Sequence, residues 1–328
     1  MMNRLLSRKR RRGVAWLAPL FRLALGGVVL AIVAIQLTDL ASFRDTLAAA
    51  RPAYLAGCVV IYYIGVWISC VKWQLLLNAQ SVPVGIGPLL RWYLAGAFTG
   101  SFLPSDVGGD LGRGMLAGRV IANKSALWSS IVLERLSGLA GMFVLAAGTL
   151  ALSPALLGWH PLAPLAALAA LAAGAVILGT LLVRSASPGW LPLRVSRALA
   201  QLRAALAGYG RKPQVIVICL ALSLLYHMLT VLSTWFVLLS LAPDTPPGPA
   251  LVAPLVSVIG VMPLTPGGLG VREGVQAVLL QRAGVDGATA LAAALVSRAL
   301  LWAVTLSGLP ALLSEVRPFR ARQANRRP

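Results

Sequence analysis

Acidic residues are scarce in this sequence: Asp and Glu number nine in 328 residues, against 29 Lys and Arg. Histidine and cysteine are scarcer still, with two and three copies. His160 and His227 lie far apart and form no ligand motif. Cys58, Cys70 and Cys219 stand singly in apolar runs without a C-x-x-C spacing. They read as small apolar packing residues, not as a metal site or a disulfide framework. His227 lies inside an apolar run, where a hydrogen-bonded packing role competes with a proton-handling one. No H-E-x-x-H, G-x-S-x-G or G-x-x-x-x-G-K-[ST] is present, which removes support for zincin, α/β-hydrolase and P-loop chemistry. "GGLGVREG" lacks the third glycine of the dinucleotide fingerprint. The sequence thus implies no catalytic residue, metal or cofactor.

What the chain has in abundance is apolar sequence. Apolar residues make up 58% of it and its mean hydropathy is +0.82. Several apolar runs approach about 20 residues, the length that spans a bilayer. A soluble globule needs far more polar surface, so the expectation is an all-α polytopic membrane protein with no soluble catalytic module. The formal net charge is +20. Basic residues kept in cytoplasmic loops explain this more simply than nucleic-acid binding does, and such loops suit anionic lipid head groups. The basic start "MMNRLLSRKRRRGVAW" precedes an apolar run without a clear cleavage site, and reads as a cytoplasmic N-terminus before a retained first span.

Candidate spans are Leu17–Leu37, Ala53–Val71, Ala126–Leu152, Pro161–Val183, Gln214–Leu241 and Ala288–Leu313. Two shorter apolar segments, Leu89–Leu103 and Ala250–Pro263, each run into a Gly/Pro cluster followed by a second short helical stretch. That pattern predicts re-entrant hairpins or broken helices. Six spans with two hairpins place every strongly basic segment on the cytoplasmic side: 72–125 with five Lys/Arg, 184–212 with six, and the tail "EVRPFRARQANRRP" with five arginines. Eight straight spans are the alternative, and they put Arg113, Arg119 and Lys124 outside. Both arrangements leave the N- and C-termini in the cytoplasm of an inner-membrane protein. Segment 184–212 suits either an amphipathic surface helix or a basic loop. Trp16, Trp73, Trp128, Trp159 and Trp190 fall near span ends, as an interfacial aromatic belt would.

"PSDVGGDLGR" (Pro104–Arg113) and "PLTPGGLGVR" (Pro263–Arg272) share the pattern P-x3-G-G-x3-R, and each is followed by a span bearing an arginine, Arg135 or Arg298. Span, span, hairpin, span occurs twice with opposite starting sides, which predicts an inverted-topology repeat: residues 17–152 and 153–313, between basic termini 1–16 and 314–328. Asp106, Asp110, Arg113, Glu134, Arg135, Arg272, Glu273 and Arg298 all fall in or beside membrane segments. An unpaired charge there costs roughly 2.5–3.5 kcal/mol on insertion scales. Ion pairs that only lock the fold would remove that cost, and so would a hydrated cavity. Pro104, Gly108, Gly109, Pro266, Gly267, Gly268 and Gly270 would shape the breaks. Arginines at such breaks suit phosphate or another anion.

The same residues carry a family resemblance. "FLPSDVGGDLGR", "LERLSGL" and "PLTPGGLGVREG" resemble the flippase-like membrane domain of lysylphosphatidylglycerol synthases over roughly residues 15–315. The most specific element, P-G-G-L-G-x-x-E, matches Pro266, Gly267, Gly268, Leu269, Gly270 and Glu273. A looser one matches Pro104, Gly108 and Arg113. The resemblance implies movement of lipid between leaflets, with aminoacylated phosphatidylglycerol the best-known cargo and isoprenoid-derived lipids linked to other members. No soluble aminoacyltransferase domain follows, so synthesis of lysylphosphatidylglycerol by this chain is not expected. The implied partner is a membrane lipid as substrate; a homo-oligomer is left open. A membrane-embedded transferase acting on a lipid-linked substrate is the alternative function, and a scaffold with dispensable charges is a third.

Overall fold

The computed structural model describes residues 27–28, 31–32, 34–36, 40–102, 107–152, 193–261 and 265–315. Among them there is no strand. The helices are α1 (Leu40–Ala48), α2 (Pro52–Ala79), α3 (Ile86–Phe102), α4 (Val107–Ala117), α5 (Lys124–Leu152), α6 (Leu193–Tyr209), α7 (Pro213–Leu241), α8 (Ala253–Val261), α9 (Val271–Arg282) and α10 (Gly287–Thr305). Single-turn 3₁₀ segments at Gly248–Val252 and Pro266–Gly268 flank α8.

Among the described residues, four helices are long and apolar enough to cross a membrane: α2, α5, α7, and α10 with its continuation to Glu315. At 28 or 29 residues each, they reach about 42–44 Å. That exceeds a hydrocarbon core of about 30 Å, so they tilt or project beyond it. They match the expected spans at 53–71, 126–152, 214–241 and 288–313. The expected spans Leu17–Leu37, apart from short helical pieces, and Pro161–Val183 lie outside the described residues. So do Pro104, Asp106, Trp16, Trp159, Trp190, His160, the basic N-terminus and the tail beyond Glu315.

Local chemistry sets the helix ends. Proline opens α2 and α7, where its missing N–H and fixed φ do no harm. Asp286 caps α10 by accepting from the Ala288 and Thr289 amides at 3.0 and 3.2 Å. The order long helix, short pair, long helix occurs twice: α2, α3/α4, α5, and then α7, α8/α9, α10.

The first long helices of the two series, α2 and α7, pack together through small residues, as membrane helices do when backbones approach closely. A Cβ on Gly57 would lie 2.7 Å from the Phe236 ring, and one on Gly65 would lie 3.2 Å from Tyr226. Helix α5 meets α7 in the same way, with Gly141 against Ser223. The three cysteines are free and buried, in the packing role expected of them.

Segment 184–212 contains the helix α6, which docks on the end of α2. The Tyr209 hydroxyl donates to the Leu76 carbonyl at 2.9 Å, and Gln80 Nε2 donates to the Ala205 carbonyl at 2.8 Å. Burial pushes the Tyr209 phenol up to about 12, which keeps it a donor.

Two expectations need correction. Trp73 belongs to no interfacial belt: it is fully buried, and its Nε1 donates to Ser130 Oγ at 3.0 Å. Lys72, counted with the basic segment 72–125, is not a loop charge. Helix α2 runs on to Ala79 and carries Lys72 into the interior, while Arg113 is buried on α4. Of the five basic residues in 72–125, only Arg91, Arg119 and Lys124 remain to mark a side.

Candidate functional site

The glycines of the first short pair explain its shape. Helices α3 and α4 cross so closely that a Cβ on Gly96 would sit 2.8 Å from the Gly109 carbonyl oxygen, and a Cβ on Gly109 equally close to that of Gly96. Gly100 and Gly112 continue the contact, and Gly108 is buried beside it. The second break uses glycine differently. Gly267, Gly268 and Gly270 have φ of +59°, +71° and +79°, a region that side chains with a Cβ rarely adopt. Pro266 opens this turn. The turn packs on α3, with the Gly267 Cβ position 3.5 Å from the Ser101 carbonyl. The second break therefore meets the C-terminal end of α3.

Two buried ion clusters flank the meeting point. In the first, Arg113 Nη1 lies 2.5 Å from Glu134 Oε2 on α5. Its Nη2 and Nε donate to Asp110 Oδ1 at 2.7 and 3.1 Å. The guanidinium also stacks over Trp73 and Tyr93, 4.7 and 4.9 Å from the ring centroids. Arg135 approaches Asp110 Oδ2 at 3.7 Å and is about a third exposed. In the second cluster, Arg298 Nε donates to Glu273 Oε1 at 2.5 Å, and Nη2 also pairs with that oxygen. Arg298 Nη1 donates to the Gly267 carbonyl at 2.9 Å, while Glu273 Oε2 accepts from the Gly270 amide at 2.6 Å. Glu273 thus caps α9 and neutralises Arg298 at once.

Both clusters border one cavity of about 420 Å³, lined by Asp110, Arg113, Arg135, Arg272, Glu273 and Arg298 among others. Tyr62, Tyr93, Tyr226, Thr230, Ser257 and Ser297 add polar atoms to its wall. Among the described residues, four arginines face it against two lining carboxylates, with Glu134 behind. Arg272 stands apart: it is half-buried on the cavity wall and forms no ion pair among the described residues. Its stem packs near Gly260 and Gly268.

Of the residues singled out from sequence, Asp110, Arg113, Arg135, Arg272, Glu273 and Arg298 come together at this cavity, and Glu134 supports it from one layer back. Trp73, Tyr93 and Gln276 were not anticipated. Lys72 was counted as a loop charge, although the apolar "WQLLL" after it was the signal that its helix continues. His227 Nε2 lies 3.0 Å from the Gly138 carbonyl, as a hydrogen-bonded packing histidine would. No group of three or more His, Cys, Asp or Glu able to hold a metal occurs among the described residues.

No curated protein matches the chain. Residues 20–308, which include every helix of both series but for the last turns of the α10 continuation, match the family described as "Lysylphosphatidylglycerol synthase TM region". The chain is a member of that lysylphosphatidylglycerol synthase transmembrane family.

Proposed function

We propose that the protein moves an amphipathic lipid between leaflets, with the lipid's anionic head group passing through the cavity between the two helix breaks. One observation carries this reading: two ion clusters from separate halves of the chain border a single cavity in an otherwise apolar helical protein. Charges placed only to lock the fold would pair out. Among the described residues, Arg113 holds Asp110 and Glu134, and Arg298 holds Glu273, while Arg272 forms no ion pair. A surplus arginine on a cavity wall recognises a phosphodiester better than a cationic head group. On this reading the short pairs α3/α4 and α8/α9 are re-entrant hairpins of an inverted repeat, and irregular backbone lines the cavity where a membrane protein tolerates it. The protein carries cargo and does no chemistry on it, in an inner membrane with both ends in the cytoplasm.

The test is leaflet exchange of a fluorescent phospholipid in proteoliposomes, read by quenching of the outer-leaflet label. Wild type should exchange the label well above empty vesicles. Arg272→Gln should lower the rate at least about tenfold, the loss expected when one charge-assisted contact of about 1.5–3 kcal/mol is removed. Exchange by wild type no faster than in empty vesicles, or an unaltered rate in Arg272→Gln, refutes the assignment.

A further inference from the structure

Lys72 is a buried cation that the cavity does not use. It lies on α2 with 6% exposure, where α5 and α7 converge. Its Nζ donates to the Ser223 hydroxyl at 3.0 Å and reaches the Glu134 backbone carbonyl at 3.4 Å. Both partners are neutral, and no carboxylate lies within ion-pair distance of it among the described residues. The charged and titratable groups around it are few. From α5 comes the Glu134 carboxylate, already held by Arg113. From α4 come Arg113 and Asp110. From α7 come Cys219 and His227. Ser223 in turn contacts Ser137 Oγ at 3.4 Å and donates to the Cys219 carbonyl at 2.7 Å. Hydroxyls and carbonyls can solvate either form of an amine, since a hydroxyl both donates and accepts. An ionisable side chain kept inside a membrane bundle without a counter-ion is a functional candidate in its own right.

We propose that Lys72 is a proton-binding site that couples lipid movement to a pH gradient, an inference that rests on the transport reading above. Charge links the two sites. Lys72 sits one layer behind Arg113 and Glu134, so its positive charge adds to the field of the cavity. An anionic head group in the cavity favours the protonated amine, and by reciprocity protonation favours the anion. Proton and anionic lipid are therefore taken up together and released together. The ligand of this site is a proton, and no covalent step is involved.

Two measurements test this. The chain has four lysines, Lys9, Lys72, Lys124 and Lys212. Lysine labelled with ¹³C at Cε in the full-length protein in nanodiscs therefore gives few signals, and Lys72→Arg identifies that of Lys72. Its position should change across the pH range of the gradient applied in the transport assay. A stationary Lys72 signal overturns the proposal. In proteoliposomes, an inward pH gradient should change wild-type exchange several-fold, and the ratio of rates with and without the gradient should fall to one in Lys72→Met. A wild type that exchanges lipid indifferently to the gradient overturns the coupling, as does a gradient response that survives in Lys72→Met. If wild type moves no lipid, the transport reading fails by itself, and the lysine signal still decides whether Lys72 binds a proton.

Discussion

Replacing Glu273 by Gln isolates the second ion cluster. The carboxylate is 3% exposed and does two things: one oxygen accepts from the Gly270 amide, and the other holds Arg298, itself 8% exposed. Glutamine can keep the first contact through its amide oxygen, but it turns an NH₂ group toward the guanidinium and removes the counter-charge. A buried pair broken on one side typically loses about 3–5 kcal/mol. At about 2 °C per kcal/mol for a chain of this size, the unfolding midpoint should fall by about 6–10 °C. The variant Glu273→Gln with Arg298→Met removes the stranded charge as well. What remains is a weakened cap and the lost Arg298 bond to the Gly267 carbonyl, together about 2 kcal/mol or about 4 °C. Thermal unfolding in detergent, followed by tryptophan fluorescence, gives both values. The double variant must therefore be more stable than the single one. If it melts at or below Glu273→Gln, Arg298 is not held as a buried cation by Glu273, and the cluster has been misread.

Three other outcomes follow from packing. Gly109→Ala should destabilise by about 1–3 kcal/mol, because its Cβ meets the rigid Gly96 carbonyl and no flexible side chain can yield. Gly148→Ala, whose Cβ meets nothing within 4 Å, should be neutral or stabilising by up to about 1 kcal/mol; the same melting assay reads both. Trp73→Leu should cost about 2–4 kcal/mol through lost ring area, the Ser130 bond and the face beneath Arg113, and leaflet exchange should fall with it as Arg113 loses its seat.

Much of the fold was legible because hydropathy, length and helix breakers report directly on membrane helices. The four long helices begin within two residues of their expected starts, and Pro52, Pro213 and Asp286 mark three of those starts by known end chemistry. The failures have a common cause. Sequence windows treat each charge as belonging to lipid, loop or site, so a lysine just beyond an apparent span end looks like a loop residue. The apolar "WQLLL" signals that α2 continues, but nothing local shows that the helix turns Lys72 toward Ser223. Trp73 misled in the same way: near a presumed end it looked interfacial, but the extra turns bury it under Arg113. Which acid meets which arginine was also beyond reach. Glu134 and Arg135 are adjacent in sequence and point to different partners, because successive helical positions face different directions.

The pairings also bear on the repeat. By the shared pattern, Arg113 corresponds to Arg272 and Arg135 to Arg298. Yet the buried pair in the first half joins an α4 arginine to an acid on α5, while in the second half it joins an α9 acid to an arginine on α10. The mechanical effect is equal: each second limb, α4 or α9, is pinned to the long helix after it. The electrostatic effect is unequal. Among the described residues of these elements, the first half pairs two acids with its two arginines, and the second pairs one. The surplus charge therefore falls on Arg272, the position whose counterpart is the most heavily tied residue in the cavity. Two halves that needed only rigidity could each have used a closed pair. On the transport reading proposed above, an arrangement that holds both limbs and leaves one described cation facing the cavity suits anion recognition, and Arg272 is the residue whose loss should affect transport most while stability stays at the wild-type level.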